Sequence, residues 1–571
     1  MEQFQAAALN VVAKINAYLS DYILIALLVG VGLYFTIRTG FVQVRYFGEG
    51  MKKVFGNLSL KGGKNKSGLT SFQALATAIA AQVGTGNIVG ACGAILIGGP
   101  GAIFWMWIIA FFGMATIYAE ATLAQKTRVV NEDGSVAGGP VYYIRTAFKG
   151  KFGKFLAGFF AIAITLALGF MGSMVQSNSI ASSMKTAFGV PTWVIGAIVA
   201  VLCIFIFLGG IQRIASVTEK LVPVMAVFYL VGGLVILGIR FRYIPETFGL
   251  IFKYAFTPNA LIGGGIGYAL KTAISQGAKR GLFSNEAGMG STPHAHAMAN
   301  VQKPHDQGVV AMIGVFIDTF VVLTMTALVV ISTLYVGGGP LGNTYKAQAA
   351  RIAACNESQL IVEYEDIYHD YMDNRIAAIE NYDDDKIAET YNKMYKTLQA
   401  ESRIDDSEVK VSTVAEQKEK LVEYTYIDEP MIAVDKLTKE TATTHIHTLA
   451  IEDKGIDKTN MMQTAFTNAL PSSFGNFGNI FVAICLLFFA FSTILSWNFF
   501  GRLNAEYLFG KKFSKVYTVI AIAFIFLGSI LSNDLVWELT DMFNNIMVIP
   551  NVLALFALGS MVVACLPKKN K

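Results

Sequence analysis

The stretch from Thr70 to Gly98 reads TSFQALATAIAAQVGTGNIVGACGAILIG and is the segment most informative about the fold. It is long and apolar enough to cross a membrane, for which a helix needs about 20 residues. GTGN nevertheless interrupts it at Gly84–Asn87. Two glycines one residue apart weaken a helix, and unsatisfied backbone groups are costly in hydrocarbon. Such an interruption survives where it lines a cavity or binds a ligand, so we expect a transporter's binding site here.

The composition is that of a polytopic membrane protein. Hydrophobic residues make up 54% of the 571-residue chain, the mean hydropathy is +0.50 and charged residues make up 15%, whereas soluble chains have about 25% charged residues. The five cysteines have no metal-like spacing, and we predict no disulfide framework. The N-terminus lacks a basic region followed by a short apolar core and a cleavage site, so we predict no cleaved signal peptide.

Eleven segments are candidate spans, of which the first and the tenth are short for about 30 Å of hydrocarbon. They lie near 22–38, 70–97, 101–125, 155–176, 192–210, 217–239, 261–290, 308–336, 478–499, 516–532 and 542–565. They predict an N-terminal span with a cytoplasmic linker, a first five-helix repeat, the start of a second repeat, an acidic extracytoplasmic insert, and the rest of the second repeat with a cytoplasmic tail. These regions are 1–69, 70–260, 261–339, 340–470 and 471–571.

Basic residues indicate the orientation. They cluster after the first, third, ninth and eleventh spans, which are alternate loops on one side. By the positive-inside rule that side is the cytoplasm. We therefore expect the N-terminus and the insert outside and the C-terminus inside, in the plasma (inner) membrane of a bacterium or archaeon. Arg240, Arg242 and Lys253 conflict with this assignment, because they fall on the outer side.

Residues 340–470 differ in composition from the rest of the chain. They contain 14 Lys and Arg against 25 Asp and Glu. Runs such as YEDIYHDYMDNRIAAIENYDDDKIAETYNKMYKTLQAESR predict amphipathic helices with solvated faces. We expect a small helical domain or an elaborated loop outside the membrane, and its sequence indicates no chemical role.

A second glycine-interrupted region runs from Leu261 to Pro293. Polar and ionisable groups inside a span are candidates for function, and this region contains Ser275, Gln276, Lys279, Arg280, Asn285 and Glu286. Alternatively, residues 279–286 already lie at the cytoplasmic boundary. The interrupted spans are the second and the seventh, and this separation predicts two inverted repeats of five spans whose broken helices face each other at mid-membrane. There, helix amino ends can hold a carboxylate and exposed carbonyls a cation.

Hydroxyl groups lie in the ninth span, in the run FFAFSTILSWN at 488–498. They could complete a hard-cation site with the first break, because oxygen-only ligation suits a hard cation. In the alternative, the hydroxyls of Ser492, Thr493 and Ser496 bond back to carbonyls four residues earlier. Trp497, one turn after Thr493, would wall a small pocket or merely pack. The predicted cation ligands are Gly84, Asn87, Thr493 and Ser496.

Amide side chains lie in the fourth span, where GFMGSMVQSNS at 169–179 contains Gln176 and Asn178. An amide both donates and accepts hydrogen bonds, so Gln176 could bind an amino-acid head group. An interhelical hydrogen bond is the alternative.

Four signatures together resemble the alanine or glycine:cation symporter family (sodium:alanine symporters). They are GTGNIVGA at 84–91, GGPGAIFWMW at 98–107, KRGLFSNEAGMGSTP at 279–293 and FAFSTILSW at 489–497. They occur in the family's order, and the resemblance covers nearly all the spans but not 340–470. It implies an all-α, leucine-transporter-like fold with one extra N-terminal helix before a 5+5 inverted repeat. It also implies Na⁺-coupled uptake of alanine, glycine or a similar small amino acid.

By that likeness the substrate lies against the first break, with further walls from the fourth, seventh and ninth spans. The implied substrate-binding residues are Gly84, Thr85, Gly86, Asn87, Gln176, Gln276, Phe283, Asn285 and Trp497. The cation in the predicted site is then Na⁺.

We therefore expect a symporter in the lipid bilayer that takes up a small neutral amino acid (alanine, glycine or D-alanine) with Na⁺ as coupling ion. We expect no other cofactor and no nucleic-acid partner. A monomer is compatible with these features. A symporter for another amino acid such as glutamine, H⁺ coupling, a passive channel and a transporter-derived sensor are the alternatives. A channel needs no paired breaks, and a sensor would bind without flux. The chain has no G-x-x-x-x-G-K-[ST] or H-E-x-x-H sequence, so we predict neither an ATP motor nor an enzyme.

Overall fold

The structure is a computed structural model of the 571-residue chain. It describes residues 11–56 except 13 and 17, 69–130, 136–256, 266–342, 357–428 except 401–403 and 405–409, and 456–567 except 532. Within these ranges the chain is almost entirely helical. Its one sheet there is a short antiparallel pair, β1 Val129–Val130 and β2 Val136–Ala137, in which Val129 pairs with Ala137.

The α-helices are numbered along the chain. They are α1 Ile25–Arg38, α2 Val42–Arg45, α3 Phe47–Phe55, α4 Ser71–Gln82, α5 Ala91–Gly98, α6 Ala102–Thr127, α7 Pro140–Ala147, α8 Gly150–Ile164, α9 Ser173–Phe188, α10 Thr192–Phe207, α11 Gly210–Ile239, α12 Ile244–Phe256, α13 Ile266–Asn285, α14 Pro293–Met298, α15 Pro304–Val315, α16 Thr324–Val330, α17 Glu357–Glu380, α18 Asp384–Ala400, α19 Val414–Asp428, α20 Met461–Ala469, α21 Phe477–Phe509, α22 Ser514–Gly528, α23 Asn533–Ala557 and α24 Gly559–Ala564. π-Helical segments adjoin several of them, at Leu19–Leu24, Gly86–Gly90, Thr165–Gly172, Phe316–Leu323 and Ile331–Tyr335.

The first predicted interruption is a break between α4 and α5. Helix α4 begins with a capping box, in which the Thr70 side chain accepts a hydrogen bond from the Gln73 N–H and the Gln73 side chain accepts one from the Thr70 N–H. It ends at Gln82, because Val83 leaves the helical conformation with ψ +85°. The following helical run Gly86–Gly98 is bent by 45° from α4. The glycines of GTGN therefore lie at a real change of helix direction.

The second predicted interruption is a longer non-helical segment between α13 and α14. Three of its residues have left-handed backbone angles: Glu286 (φ 57°), Gly288 (φ 92°) and Gly290 (φ 80°). Glycine adopts such angles readily, but for Glu286 they are uncommon. Helix α14 then begins at Pro293, whose ring suits the first helical position. We refer to residues 286–292 as the second break.

The long apolar helices fit a multi-span membrane protein. Six described helices or continuous helical runs are long and apolar enough to cross a membrane, or seven if α4 and α5 count as one bent span. Each predicted span overlaps a helix, with 261–265 outside the described residues, but the number of crossings remains a prediction. Large apolar side chains such as Phe205, Val224 and Val227 are exposed on α10 and α11, as lipid-facing side chains would be.

Helix packing brings the two breaks together. Helix α21 packs along α4 and α9, and α6 packs along α13 and α15. The π-helical segment Gly86–Gly90 contacts α13. The first break thus lies beside the seventh predicted span.

The acidic segment contains helices α17, α18 and α19, and α19 packs against the other two. Their contact is aromatic: the rings of Tyr391 and Tyr424 stack with centroids 5.8 Å apart, and Tyr395 packs beside them. The amphipathic pattern therefore folds into helices with a small core of their own.

The last part of the predicted insert packs on the membrane helices. Met461, Met462 and Phe466 of α20 are buried in the main core. The Gln463 side-chain amide donates hydrogen bonds to the carbonyl oxygens of Ser183 and Asn479, each at 3.1 Å. Residues 456–469 therefore belong structurally with the membrane helices.

Candidate functional site

The first break is held from α9 by Gln176. The Thr85 N–H donates a hydrogen bond to Gln176 Oε1 at 3.1 Å, and both residues are fully buried. Because the backbone donor fixes the amide's orientation, Gln176 Nε2 faces away from Thr85, and it has no hydrogen-bond partner among the described residues. Gln176 thus makes a hydrogen bond between helices, which was the alternative to substrate binding, and its Nε2 still presents two donors without a partner among the described residues.

Helix α21 brings a hydroxyl to the same break. Thr493 Oγ1 lies 2.8 Å from the Ala80 carbonyl oxygen and 3.0 Å from the Phe489 carbonyl oxygen. A side chain at Gly84 would collide with Thr493 Oγ1. The Phe489 carbonyl lies four residues before Thr493, as the back-bonding alternative describes, whereas Ser492 donates to the same carbonyl from three residues on, at 2.8 Å. Of these two residues, Thr493 is the one whose hydrogen bonds among the described residues connect α21 to α4.

Of the other predicted cation ligands, Ser496 has a buried hydroxyl with no partner among the described residues. The Asn87 side-chain oxygen accepts the Gly84 N–H at 3.0 Å. That hydrogen bond closes the first break, so Asn87 would have to give it up to bind a cation through that lone pair. The role of each as a ligand remains a prediction.

A buried carboxylate that we did not predict, Asp318, joins both broken spans. Asp318 Oδ1 accepts a hydrogen bond from Asn87 Nδ2 at 2.6 Å, and Oδ2 accepts from the hydroxyls of Ser284 and Thr319 at 2.8 Å each. It lies in the π-helical segment Phe316–Leu323, and such segments are frequent at functional sites. A lone acidic residue in the apolar run VFIDTFVV at 315–322 is the sequence signal that points to it.

Aromatic rings cover the first break. A side chain at Gly86 would lie 3.1 Å from Phe283 Cδ1 and 3.0 Å from Ser284 Cα, so the chains approach closely there. The Phe283 ring lies edge-on to Trp497, with centroids 5.7 Å apart, and 4.8 Å from Trp537. The two predicted wall residues, Phe283 and Trp497, thus contact each other, and Phe283 lies beside Gly86.

Two other predicted substrate residues lie elsewhere. Gln276 is seven residues before Phe283 on α13, about 10 Å along a helix axis, and its Cβ would lie 3.1 Å from a side chain at Gly98. The Asn285 carbonyl accepts a hydrogen bond from Gln82 Nε2 at 2.9 Å, and its side chain contacts Thr319. Asn285 therefore ties α4 to the second break, and the structure does not bring Gln276 to Gly84–Asn87.

The second break is surrounded by two further buried carboxylates. Glu286 accepts hydrogen bonds from the Trp497 indole and the Ser291 hydroxyl. Glu120 of α6 accepts from the N–H groups of Gly288 and Gly290. Glu286 was a candidate without an assigned role and Glu120 was not predicted, although an acidic residue inside the third span is a signal of the same kind as Asp318.

A charged cluster adjoins the aromatic cover. Arg280 forms an ion pair with Asp541 at 3.0 Å and lies over the Trp537 ring at 4.9 Å. The Lys458 ammonium, from the end of the predicted insert, lies 5.8 Å from the centroid of the same ring. The insert's end thus reaches the ring that covers Phe283.

Comparison with known proteins decides the family. The model of the sodium:alanine symporter family matches residues 5–360 and 417–570. The chain belongs to this family. It is therefore a multi-pass membrane transporter of a family of sodium:amino-acid symporters, and not an enzyme. Residues 361–416, which lie between the two matched ranges, include most of α17, all of α18 and the first residues of α19.

Relatives of this sodium:alanine symporter family member carry different substrate names. A Methanococcus maripaludis protein named "Sodium/alanine symporter AgcS" is 33% identical over 556 residues, covering 97% of this chain and 96% of its own length. A Bacillus subtilis protein named "Probable sodium/glutamine symporter GlnT" is 30% identical over 558 residues, covering 98% and 90%. Among solved structures, a manganese transporter of Eremococcus coleocola matches at 14% identity with a TM-score of 0.34, covering 83% of this chain and 94% of its own.

Proposed function

We propose that this symporter imports a small neutral amino acid (alanine, glycine or D-alanine) together with Na⁺ by alternating access. The observation that carries the proposal is the meeting of the Thr493 hydroxyl with the Ala80 carbonyl beside Gly84. It supports a cation position directly against the break where the amino acid would bind.

Na⁺ would bind where oxygen atoms of α4 and α21 converge. The carbonyl oxygens of Ala80 and Phe489 both lie within 3.0 Å of Thr493 Oγ1, and all three residues are buried. Neutral oxygen donors suit a hard cation. A cation here would replace hydrogen bonds of Thr493 and hold α4 against α21. Ser496, with its unpartnered hydroxyl, is the further ligand that we propose on α21.

Asp318 supports a second candidate position for the coupling ion. Its carboxylate receives donors from Asn87, Ser284 and Thr319, and no basic side chain is among the partners that the described residues provide. Buried charges in membranes are normally paired. A Na⁺ or an H⁺ at Asp318 would neutralise the carboxylate, and this is the observation that favours H⁺ coupling as the alternative.

The amino acid would bind across the first break. Its carboxylate would accept hydrogen bonds from Gln176 Nε2 and from backbone amides at the start of the Gly86–Gly90 segment, where the helix dipole favours an anion. Its ammonium would meet carbonyl oxygens of the second broken span. Phe283 and Trp497 would enclose the side chain. The close approach of Ser284 and Phe283 to Gly86 favours a methyl-sized side chain over that of glutamine.

The architecture that fits this cycle is eleven spans, with one N-terminal helix before a leucine-transporter-like 5+5 inverted repeat. Its support is the five-span separation of the two breaks and the close approach of Gly86 to Ser284 at the end of α13, just before the second break. In this arrangement the protein lies in the plasma membrane. The N-terminus and residues 340–470 are outside the cell, and the C-terminus is in the cytoplasm.

Uptake by purified protein in liposomes tests the function. An inward Na⁺ gradient should drive radiolabelled alanine above equilibrium, and replacing Na⁺ by K⁺ or choline should abolish accumulation. Unlabelled glycine and D-alanine should compete, whereas glutamine should compete weakly. Accumulation with a pH gradient alone would support the H⁺ alternative. Flux only down the alanine gradient would indicate a channel, and binding without flux would indicate a sensor.

A further inference from the structure

Glu120 lies fully buried in the C-terminal third of α6 and takes no part in the sites discussed for Na⁺ or the amino acid. Each of its oxygens is hydrogen-bonded. Oε1 accepts from the Gly290 N–H at 2.9 Å and from Asn551 Nδ2 at 2.6 Å, and Oε2 accepts from the Gly288 N–H at 3.0 Å. Its partners are thus two backbone amides of the second break and one side chain of α23.

These amides need an acceptor because of the local backbone. Gly288 and Gly290 have φ of 92° and 80°, so their N–H groups cannot join a helical ladder. An unsatisfied amide at membrane depth is costly. Hydrogen bonds to a charged acceptor are also stronger than those to a neutral one. One carboxylate therefore stabilises the two glycines of this break that have positive φ angles.

Asn551 adds a further hydrogen bond to the second break and extends the network to α7. Its Nδ2 also donates to the Gly288 carbonyl at 2.8 Å, and its Oδ1 accepts a hydrogen bond from the Tyr143 hydroxyl of α7. On the other side of the second break, Glu286 accepts hydrogen bonds from Ser291 and from the Trp497 indole. A movement of residues 286–292 would therefore reach α6, α7, α23 and the proposed pocket wall together.

We propose that Glu120 is a positioning residue for transport: it holds the second break in the conformation seen here, and releasing and re-forming its hydrogen bonds with Gly288 and Gly290 sets the rate of the conformational cycle. The proposal rests on the proposed function. It differs from a ligand role because the partners that the described residues give Glu120 lie in the second break and α23, and none lies in the first break.

The test compares turnover with binding in Glu120→Gln. Glutamine keeps the shape of the side chain. Its NH₂ group, however, would face a hydrogen-bond donor at a position where a carboxylate oxygen of Glu120 accepts a hydrogen bond. We expect Na⁺-driven alanine uptake in proteoliposomes to fall on the order of tenfold or more. Equilibrium binding of alanine and Na⁺ to the purified variant should stay within about threefold of wild type, because the first break and Thr493 are unchanged. The double variant Glu120→Gln, Asn551→Asp returns one carboxylate to the cluster and should recover part of the turnover.

Tyr118→Phe on the same helix is the matched control. It removes a buried hydrogen bond with His305, outside this network, and should leave the ratio of turnover to binding unchanged. If Glu120→Gln does not fold, Glu120→Asp keeps the charge with a shorter reach and should show the same selective loss of turnover. Wild-type turnover in the folded variant, or an equal loss of binding and turnover, would overturn the proposed role of Glu120 but not the proposed function. Absence of Na⁺-driven uptake by the wild type would instead remove the proposed function on which this role rests.

Discussion

Thr493 Oγ1 lies 2.8 Å from the Ala80 carbonyl oxygen, although 413 residues separate them in the chain. This contact joins the last turn of α4 to the middle of α21. It places a hydroxyl, a backbone carbonyl and the first glycine of GTGN at one buried point. The proposed Na⁺ site and the proposed amino-acid site therefore share the same few residues of backbone.

Thr493→Ala should weaken the Na⁺ dependence of uptake. The substitution deletes the one side-chain oxygen that bridges α21 to Ala80, so the Na⁺ concentration for half-maximal alanine uptake should rise by about tenfold. Ser492→Ala is the control, because Ser492 bonds back to Phe489 within its own helix. An unchanged half-saturating Na⁺ concentration in Thr493→Ala would exclude the proposed ligand.

Asp318→Asn distinguishes the two cation positions. With Na⁺ at Thr493, Asp318 only fixes Asn87 and Ser284, so the variant should bind alanine roughly tenfold more weakly while the Hill coefficient for Na⁺ is kept. The measurement is alanine binding as a function of Na⁺ and of pH. A lower Hill coefficient for Na⁺, or the loss of a pH-driven component of uptake, would place a coupling ion at Asp318 instead.

Gly86→Leu should abolish alanine binding in a protein that still inserts into the membrane. Even a Cβ at this position would lie only 3.0 Å from Ser284 Cα and 3.1 Å from Phe283 Cδ1, so the larger leucine side chain would clash with both residues. Gly86→Ala should have an intermediate effect. Gly90→Ala is the matched control, since its Cβ meets nothing closer than 3.8 Å. The prediction fails if purified Gly86→Leu binds alanine with wild-type affinity.

Replacing residues 361–416 by a short Gly/Ser linker should leave Na⁺-driven uptake largely intact. The family match omits this segment, and loop length costs little because closure entropy grows logarithmically. A longer deletion of 345–465 should impair uptake, because it removes Lys458 and the buried Met461 and Met462.

Membrane levels of both deletion variants are the control for this comparison. If the shorter deletion is well inserted and binds alanine without transporting it, then α17–α19 take part in the transport cycle. Equal activity of the two variants would mean that the contact of Lys458 with Trp537 is dispensable.

Local sequence was sufficient to predict features that depend on local chemistry. The GTGN break follows from two glycines in an apolar span, and Gln176 and Thr493 were predicted as site residues because they are polar groups at membrane depth. The pairing of these residues with Thr85 and Ala80 was not predictable in detail, because it depends on how distant helices pack.

The prediction that Gln276 binds the substrate shows most clearly what the sequence alone could not determine, namely which polar side chains of a span reach the first break. Gln276 shares a polar span with Phe283, but seven residues of helix carry it about two turns away from the first break. Asp318, Glu120 and Asn551 were missed for the complementary reason. Each lies in an apolar run, and hydrogen-bond partners that fix its position lie 168 to 431 residues away in the chain.

The Ala80 carbonyl and the Thr85 amide lie five residues apart on one interrupted helix, the first facing Thr493 and the second bound by Gln176. A ligand at either position would order the backbone that the other uses. Thermodynamic reciprocity then requires that any factor by which Na⁺ tightens alanine binding is the factor by which alanine tightens Na⁺ binding. At low external alanine such a carrier would hold Na⁺ weakly, so little of the ion gradient would dissipate in the absence of cargo.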